Sequence, residues 1–501
     1  MPRVRAVVLN FNGGEHVVQC VEALRNTAYP ADRFEVVVID NASVDGSEIA
    51  IERRFPDVRL IRNATNTGFP ANNLAMADLQ ADGIDYVALV NNDAFVEPGW
   101  LSPLVGALES DDRLGAACPK ILFAPKFHEV VIESATFDPP GDSRQLGVQL
   151  HGINWADRSV FGLSQYVRGA WGQEPREGGW FRWLGGEAVI RLALPADLLA
   201  TVSDGPSGEY TEELRSLPGV EAPPFAVQFL LAAEKEKQVV ITSGRYRVRV
   251  SVGPEPRWVD VPVAGEPFDV INNAGSVVIE DGFGADRGFL QIDEGQFDEP
   301  VDVFNWCGGG VLLRPAYLAD AGLFDERFFL YYEDTDLSWR GQALGWRYRY
   351  VPESRFRHLH AASSGEGSDV FQFYVERNRL LLLVKNAPAA LAARAVVGFL
   401  TATLSYARRD VLPSIVRGRR PPTRHLRNRL RSFRSFVRLA PAMLADRRSL
   451  RRRALRNDFE LSGRFLPREA WSEMEAVVVD GAGARTFERW RHVEVLERDV
   501  A

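Results

Sequence analysis

A chain of 501 residues is too long for one ordinary domain, and two to four folded units are expected. Its 46% hydrophobic and 25% charged residues exclude a disordered chain, and a net charge of −8 is mild for this size. Three widely spaced cysteines, Cys20, Cys118 and Cys307, argue against a disulfide framework or a cysteine-based metal site and for a reducing compartment. The N-terminus enters a strand-like run directly, without a leader pattern. No segment is expected to reach the roughly 18 apolar residues of a spanning helix. The nearest, Ala390 to Tyr406, is broken by Arg394, so a cytoplasmic location is expected.

In chain order, Val4 to Leu9 reads as a short strand buried on both faces, followed by the loop Asn10-Phe11-Asn12-Gly13-Gly14. Val17, Val18, Val21 and Leu24 mark the apolar face of a helix from Glu15 to Arg25. Phe34 to Ile39 is a second strand ending on Asp40-Asn41-Ala42-Ser43, with Ser43 and Asp45 as caps or turn residues for the next helix. Val58 to Arg62 is a third strand, Asn66-Thr67-Gly68 follows, and a helix is expected from Asn72 to Leu79. The run Tyr86 to Val90 then leads straight into Asn91-Asn92-Asp93. This alternation predicts an α/β fold with a doubly wound, mostly parallel sheet. Such sheets bind ligands at the carboxyl ends of their strands. Asn10, Asn12, Asp40, Asn41, Asn66 and Asn91 to Asp93 all fall there, so they are expected to share one edge. Asp40 can accept a hydrogen bond from a base N–H, and Asp93 can hold a divalent cation against a diphosphate. The plainer alternative is that Asn and Asp simply populate turns after strands. No G-x-G-x-x-G follows the first strand, which weakens a dinucleotide-binding reading.

The segments VVLNFNGGEHVVQCVEAL, VVVIDNASVDGS, NTGF and VALVNNDAFVEPGWL resemble, in order and spacing, the nucleotide-sugar domain of family 2 inverting glycosyltransferases with a GT-A fold. The bacterial rhamnosyltransferase-like members are the most similar in character. The resemblance implies a nucleotide-sugar site made by Asn10, Asn12, Asp40, Asn66, Gly68, Asn91 and Asn92, with Asp40 on the base. It also implies that Asn91-Asn92-Asp93 stands in the place of the D-x-D metal motif. Only Asp93 is acidic there, so weaker metal binding is expected. The loop Pro70-Ala71-Asn72-Asn73 is a residue shorter than usual, which leaves Asn73 without a carried-over role.

From Lys126 to Glu299 the chain turns rich in Gly, Pro, Trp and acidic residues. The alternating runs Glu187 to Leu194, Val239 to Thr242, Arg245 to Val252 and Val277 to Glu280 predict an inserted antiparallel β-sandwich or barrel. The family has only a short connection here and says nothing of this module. Trp155, Trp171, Trp180 and Trp183 either fill a small β core or stack on sugar rings.

Gly308-Gly309-Gly310, in front of the strand Val311 to Leu313, permits close backbone approach. Three carboxylates, Glu333, Asp334 and Asp336, follow the aromatic run Phe328 to Tyr332 where a helix is expected to begin. Acidic residues suit a helix N-terminus, but crowded carboxylates beside aromatics also poise a general base. YYEDTDLSWR resembles the family's E-D motif, which implies that Asp334 is the base that deprotonates the acceptor hydroxyl. Glu333 then orients the acceptor or tunes the base, and Asp336 serves the helix. RFRHLHAASS resembles the family's H-x-x-G-x-S segment, with Ala361 in place of Gly. His358 matches the histidine that completes the metal site in some members, with His360 as the lesser candidate. An imidazole ligand suits Mn²⁺ better than Mg²⁺.

Phe371 to Leu383 reads as a helix beneath the site. From Lys385 to Arg456 the chain is crowded with arginine, with Asp410 and Asp446 as its acids. Apolar positions such as Val396, Phe399, Leu400, Leu404, Phe433 and Phe436 are interleaved, a pattern of basic amphipathic helices lying on an anionic membrane surface. No nucleic-acid motif accompanies the arginines, so nucleic acid is not expected as a partner.

The expected domains are a nucleotide-sugar half at 1–125, an inserted β-rich domain at 126–300, and an acceptor and catalytic half at 301–384. A basic amphipathic helical region at 385–465 and a tail at 466–501 complete the chain. The reading is an inverting glycosyltransferase, peripheral on the inner face of a bacterial membrane and dependent on Mn²⁺ or Mg²⁺. It moves a sugar, L-rhamnose from dTDP-rhamnose, to a lipid-linked or polysaccharide acceptor in cell-envelope glycan synthesis. One alternative is a related enzyme using another UDP- or GDP-sugar, such as a galactofuranosyl donor. A nucleotidyltransferase would want two or more carboxylates on its metal and a basic Gly-rich loop, and neither is visible. A non-catalytic carbohydrate-binding protein is opposed by Asp93, Glu333 and Asp334. The whole reading requires Asp93 and Asp334, about 240 positions apart, to line one pocket.

Overall fold

The structure is a computed structural model, and it describes residues 1–140, 142, 144–155, 158–176, 179–194, 226–263, 266–359, 368–416, 418 and 421–472. Two compact units emerge. The first takes Met1–Phe123, Ile271–Phe289 and Glu294–Trp471, and the second is built on Ala124–Val270 and Leu290–Asp293.

The first unit holds a ten-stranded mixed sheet flanked by helices. Its strands and helices are β1 (Val4–Asn10), α1 (Gly14–Arg25), β2 (Phe34–Asp40), α2 (Ser47–Arg54), β3 (Arg59–Arg62), β4 (Tyr86–Asn91) and β5 (Ala94–Val96). They continue with α3 (Leu101–Glu109), β6 (Leu114–Phe123), β7 (Ile271–Asn273), β8 (Val301–Val303), β9 (Gly310–Leu313) and α4 (Pro315–Ala321). The last are α5 (Glu333–Ala343), β10 (Arg347–His358), α6 (Asp369–Asn386), α7 (Ala389–Tyr406) and α8 (Arg424–Arg453). The strand order is β8-β10-β6-β9-β4-β1-β2-β3, with β7 on β6 and β5 on β10. β3, β2, β1 and β4 run parallel, and antiparallel β9 separates them from the parallel pair β6–β10. This is the GT-A-type architecture that the resemblance implies.

Why these segments are strands is visible in their burial. Alternate residues of one strand feed two cores, so apolar side chains are needed at every position. Val7, Val37, Ile39, Val87 and Leu89 face Leu318 and Leu337 of α4 and α5. Val4, Ala6, Val8, Val36, Val38, Ala88 and Val90 face Val17 and Val21 of α1 and Leu101 and Leu104 of α3. Each such Val or Leu contributes roughly 1.5–3 kcal/mol on burial. The helix expected from Asn72 to Leu79 is cut to a 3₁₀ turn at Phe69–Asn72 and one short turn at Asn73–Met76. The side chain of Asn73 bonds the backbone N–H and C=O of Phe324 instead, tying the early loop to a segment 251 residues on.

In the second unit the described strands form a nine-stranded antiparallel sheet, the antiparallel β domain expected there. Its core includes Leu150, Ile153, Ile190, Phe229, Val239 and Trp155. Trp155 is therefore core filling, whereas Trp180 is 55% exposed.

Beyond β10, α6, α7 and α8 pack through Leu380–Leu383, Leu391, Phe399, Phe436 and Met443. Not every arginine of α8 faces solvent: Arg429 turns inward onto Glu376 and Thr403, and Arg447 onto the carbonyls of Val384 and Ala387. The helical run Ala389–Val416 is long and apolar enough to cross a membrane by length and composition, with mean hydropathy 1.4 in its most apolar window. That corrects the expectation that no segment reaches this length. The run passes Tyr406 through a π-helical turn at Ala407–Val411, where charged residues hid its continuation.

Asp336 is fully buried and joins α5 to α6. Its Oδ2 accepts from Arg340 Nε at 2.9 Å and Lys385 Nζ at 2.8 Å, and its Oδ1 from Asn386 Nδ2 at 2.8 Å. Lys385 also meets Asp325 Oδ2 at 2.7 Å. Burial pushes the Asp336 carboxyl up, but the Lys385 and Arg340 cations outweigh it and hold the group below its ordinary value. Removing one partner strands a buried charge, so Lys385→Met is expected to cost about 3–5 kcal/mol in urea unfolding. A depressed folded value contributes stability above the unfolded carboxylate pKa of about 4 and loses it as pH falls through the folded value. The deficit of the variant should be flat from about pH 6 to 8 and shrink below about pH 4.

Candidate functional site

At the carboxyl ends of β1 and β2, side chains build a polar shelf. Asn10 is fully buried, and its Nδ2 donates to Asp40 Oδ1 at 3.1 Å, Ser43 Oγ at 3.1 Å and Ser47 Oγ at 2.9 Å. Its Oδ1 accepts from Gly13 N at 3.1 Å. Asn10 therefore stands behind Asp40 and holds it, with its own hydrogen-bonding groups spent inside the protein. Ser43 is not a helix cap: its hydroxyl accepts from Asn10 Nδ2 and from Asn12 N. Asn12 sits in the left-handed region (φ 52°) and accepts from Val44 N at 2.8 Å, closing the two strand-end loops on each other. Asn41 is buried and donates to Asn66 Oδ1 at 2.9 Å and Gly68 O at 3.1 Å. Gly68 has φ +74°, and a Cβ there would lie 2.0 Å from Phe329 O, so only glycine lets this loop meet the segment before Glu333. Phe69 N donates to Phe329 O at 2.7 Å across the same contact.

At the end of β4, pairing register does the work of assembly. In the β10–β5 ladder His358 lies opposite Ala94, beside Asp93. His358 Nε2 is 3.0 Å from Asp93 Oδ1, between residues 265 apart in sequence. Asn91 Nδ2 is 3.4 Å from the same nitrogen. Asn272, on β7, places its Oδ1 3.1 Å from His358 Nδ1. With that nitrogen donating to the amide oxygen, Nε2 presents a lone pair to a carboxylate oxygen, and two acceptors at that distance call for a cation or proton between them. A 3.0 Å separation also matches the edge of an octahedron with metal–ligand bonds of about 2.1 Å. The donor set therefore fits a divalent metal. Among the described residues no group of three or more His, Cys, Asp or Glu forms a metal cluster, so these two would need ligands from a diphosphate or water. Asn92 lies across from the first loop, its Nδ2 2.7 Å from where a Cβ on Gly13 would sit. His360 and Ala361 lie outside the described residues.

Asp334 opens α5. Its Oδ2 accepts from Gly308 N at 3.1 Å and its Oδ1 from Thr335 N at 2.6 Å. The neighbouring Gly309 abuts the metal-side residues: a Cβ there would be 3.6 Å from Asn91 Nδ2 and 3.8 Å from His358 Cε1. The Gly308-Gly309 backbone thus links Asp334 on one side to Asn91 and His358 on the other. Burial raises the proton affinity of Asp334; the Gly308 and Thr335 donors offset part of this, and the nearby Asp286 charge adds to it. Glu333 is buried with Oε2 unpartnered, and burial together with the charge of Asp334 drives its carboxyl well above its ordinary value. Phe329, Tyr331 and Tyr332 have φ of 65°, 68° and 70°. Such backbone costs about 1–3 kcal/mol per residue and is kept only where surroundings enforce it.

The structure therefore brings Asp93, His358 and Asn91 together, and joins Asp334 to them through two glycines. Asp40, Asn12, Asn66 and Gly68 occupy the adjoining strand-end loops. Asn272 and Asp286 were missed by the sequence reading. Asn272 belongs to a three-residue strand whose sequence gives no hint that it pairs with β6, and Asp286 follows in the same stretch.

The description Glycosyl transferase family 2 matches residues 6–136. N-acetylglucosaminyl-diphospho-decaprenol L-rhamnosyltransferase of Mycobacterium tuberculosis is 43% identical over 61 residues, 12% of this chain and 20% of that protein. Glycosyltransferase AglE of Haloferax volcanii is 27% identical over 106 residues, 20% of this chain and 34% of that protein. Each match thus spans about a third or less of the relative's length, 20% in the first and 34% in the second. A mannosyltransferase from Pyrobaculum calidifontis, solved with GDP-Man and Mn²⁺, aligns with TM-score 0.35 and 12% identity over 99% of this chain and 84% of its own. The likeness to glycosyl transferase family 2 is carried by residues 6–136 of this chain.

Proposed function

We propose that the chain is an inverting, metal-dependent glycosyltransferase that moves a sugar from a nucleoside diphosphate to a hydroxyl of a lipid-linked or polysaccharide acceptor. The observation that carries this reading is the approach of His358 Nε2 to Asp93 Oδ1 at 3.0 Å, with Asp334 fixed next to them by Gly308. Asp93 and His358 would hold a divalent cation, which when bound would supply charge neutralisation for the departing diphosphate. Asp40, held by Asn10 and Ser43, takes the base of the nucleotide. Asp334 accepts the acceptor proton at a carboxylate oxygen as the hydroxyl oxygen attacks the anomeric carbon from the face opposite the leaving group. Its burial raises its affinity for that proton. Glu333, driven toward its neutral form, keeps a second negative charge away from the base and can donate to the acceptor. One displacement of this kind inverts the anomeric configuration.

The donor we favour is dTDP-L-rhamnose, supported by the 43% identity to the mycobacterial rhamnosyltransferase over 61 residues. UDP- and GDP-sugars are the competing donors. The site of action is the inner membrane face. On α7, Val397, Leu400 and Leu404 are exposed between Arg394 and the Arg408-Arg409 pair, an arrangement that suits an anionic bilayer.

Asp334→Asn keeps the size of the base and removes its proton affinity. Turnover of the preferred donor should fall about 10²–10⁴-fold while nucleotide affinity by calorimetry stays within a factor of three; unchanged turnover eliminates Asp334 as the base. Asn272→Ala should weaken Mn²⁺ binding measured with a nucleoside diphosphate about 10–100-fold, and an unaltered isotherm removes the imidazole from the metal site. The full chain should sediment with vesicles containing phosphatidylglycerol and not with pure phosphatidylcholine, the difference fading at about 0.5 M salt as charges are screened.

A further inference from the structure

The three left-handed aromatic residues before Glu333 are held by one side chain on a different element. Asn378, in the middle of α6, is fully buried, and its Nδ2 donates to the carbonyls of Phe328 at 2.8 Å, Leu330 at 2.7 Å and Tyr331 at 2.8 Å. The amide cannot turn round, because its Oδ1 accepts from Arg377 Nε at 2.8 Å. Arg377 extends the grip, its Nη2 donating to Arg327 O at 2.7 Å and Phe328 O at 2.8 Å. The side chains of the loop lie on the same helix: Phe329 stacks on Tyr374 at 4.9 Å and Tyr331 meets Phe371 edge-on at 4.8 Å.

Geometry explains why a side-chain amide is needed. Residues at φ near +65° turn the chain back on itself, so successive carbonyls converge on one point and cannot find partners in a helix or strand. A primary amide offers two N–H groups on one nitrogen at short reach, which serine, aspartate or leucine cannot match. Tyr332, the last of the left-handed residues, is the residue from which α5 starts, and Asp334 is the second residue of that helix. Any relaxation of the loop therefore rotates the first turn of α5 and carries the Asp334 carboxyl away from Gly308. Phe329 O, meanwhile, is the acceptor for Phe69 N, so the same loop also sets the approach of the Gly68 turn.

We propose that Asn378 is a positioning residue that, with Arg377, clamps the left-handed Phe328–Tyr332 loop and so fixes Asp334 for proton abstraction without touching substrate. The proposal rests on Asp334 being the base. It predicts a defect larger in the chemical step than in nucleotide binding, because Asn378 bonds the carbonyls of Phe328, Leu330 and Tyr331, whereas the Gly68 turn meets Phe329, whose carbonyl Asn378 does not hold.

The test uses the full chain with Asn378→Asp, which is isosteric and has no N–H donor, and Asn378→Ser, which keeps one. For the dTDP-, UDP- or GDP-sugar the wild type turns over, kcat should fall about a hundredfold for Asp and less for Ser, with donor KM changed less than threefold. Hydrogen exchange should accelerate at 328–334 and remain as in the wild type across β1, β2 and β4. Unchanged kcat in folded Asn378→Asp protein, or faster exchange spread evenly through the first unit, overturns the proposal. Should the Asp variant fail to fold, the same two readouts on Asn378→Ser decide. If the wild type turns over none of the donors, the glycosyl-transfer reading fails, and the exchange pattern at 328–334 still decides whether the clamp exists.

Discussion

The edge that carries the chemistry exists because one long strand, β10, is paired on both sides. It runs parallel to β6 for most of its length, with a register shift between Val351 and Arg355, and its last residues pair antiparallel with β5. Side chains alternate along a strand, so a slip of one residue would turn His358 to the other face of the sheet and away from Asp93. The register is held by apolar burial: Tyr348, Tyr350 and Phe356 are fully buried, and displacing them together would cost several kcal/mol. The approach of His358 to Asp93 is thus a by-product of hydrophobic packing far larger than that contact itself.

The second constraint is α6. Along its length Asn378 and Arg377 hold the loop that precedes Asp334, Leu380 to Leu383 fill the core beneath it, and Lys385 and Asn386 anchor Asp336. The helix thereby grips both ends of the segment from Phe328 to Asp336, and the strained backbone between them persists because neither end can give. Acidic residues crowded at the start of α5 separate into different states for the same reason. Asp336 meets cations and stays charged, whereas Asp334 meets burial and the Asp286 charge, Glu333 meets burial and the Asp334 charge, and both bind protons more tightly.

Where burial runs through both faces of a strand, the sequence was easy to read: Val4 to Leu9, Phe34 to Ile39 and Tyr86 to Val90 are continuous apolar runs, and each is a central strand. The convergence of Asp40 and Asp93 on one edge followed from that topology. Other features depended on partners far along the chain and left no local trace. Asp336 at a helix start looks like a capping residue until Lys385 is seen beside it. The stretch Asn72–Leu79 has helical spacing, yet Asn73 is drawn off by Phe324. The arginines of α8 look like a basic surface for an anionic membrane, although Arg429 and Arg447 satisfy buried groups. Asn272 is invisible because no periodicity announces that a three-residue strand will pair with β6 and reach an imidazole.

The most direct measurement is anomalous diffraction at the manganese edge from crystals of the full chain grown with Mn²⁺ and a nucleoside diphosphate. The account predicts one strong peak within about 2.3 Å of an Asp93 carboxylate oxygen and His358 Nε2, with diphosphate oxygens completing the shell. A manganese peak elsewhere, with Asp93 and His358 bound only to each other, would contradict it.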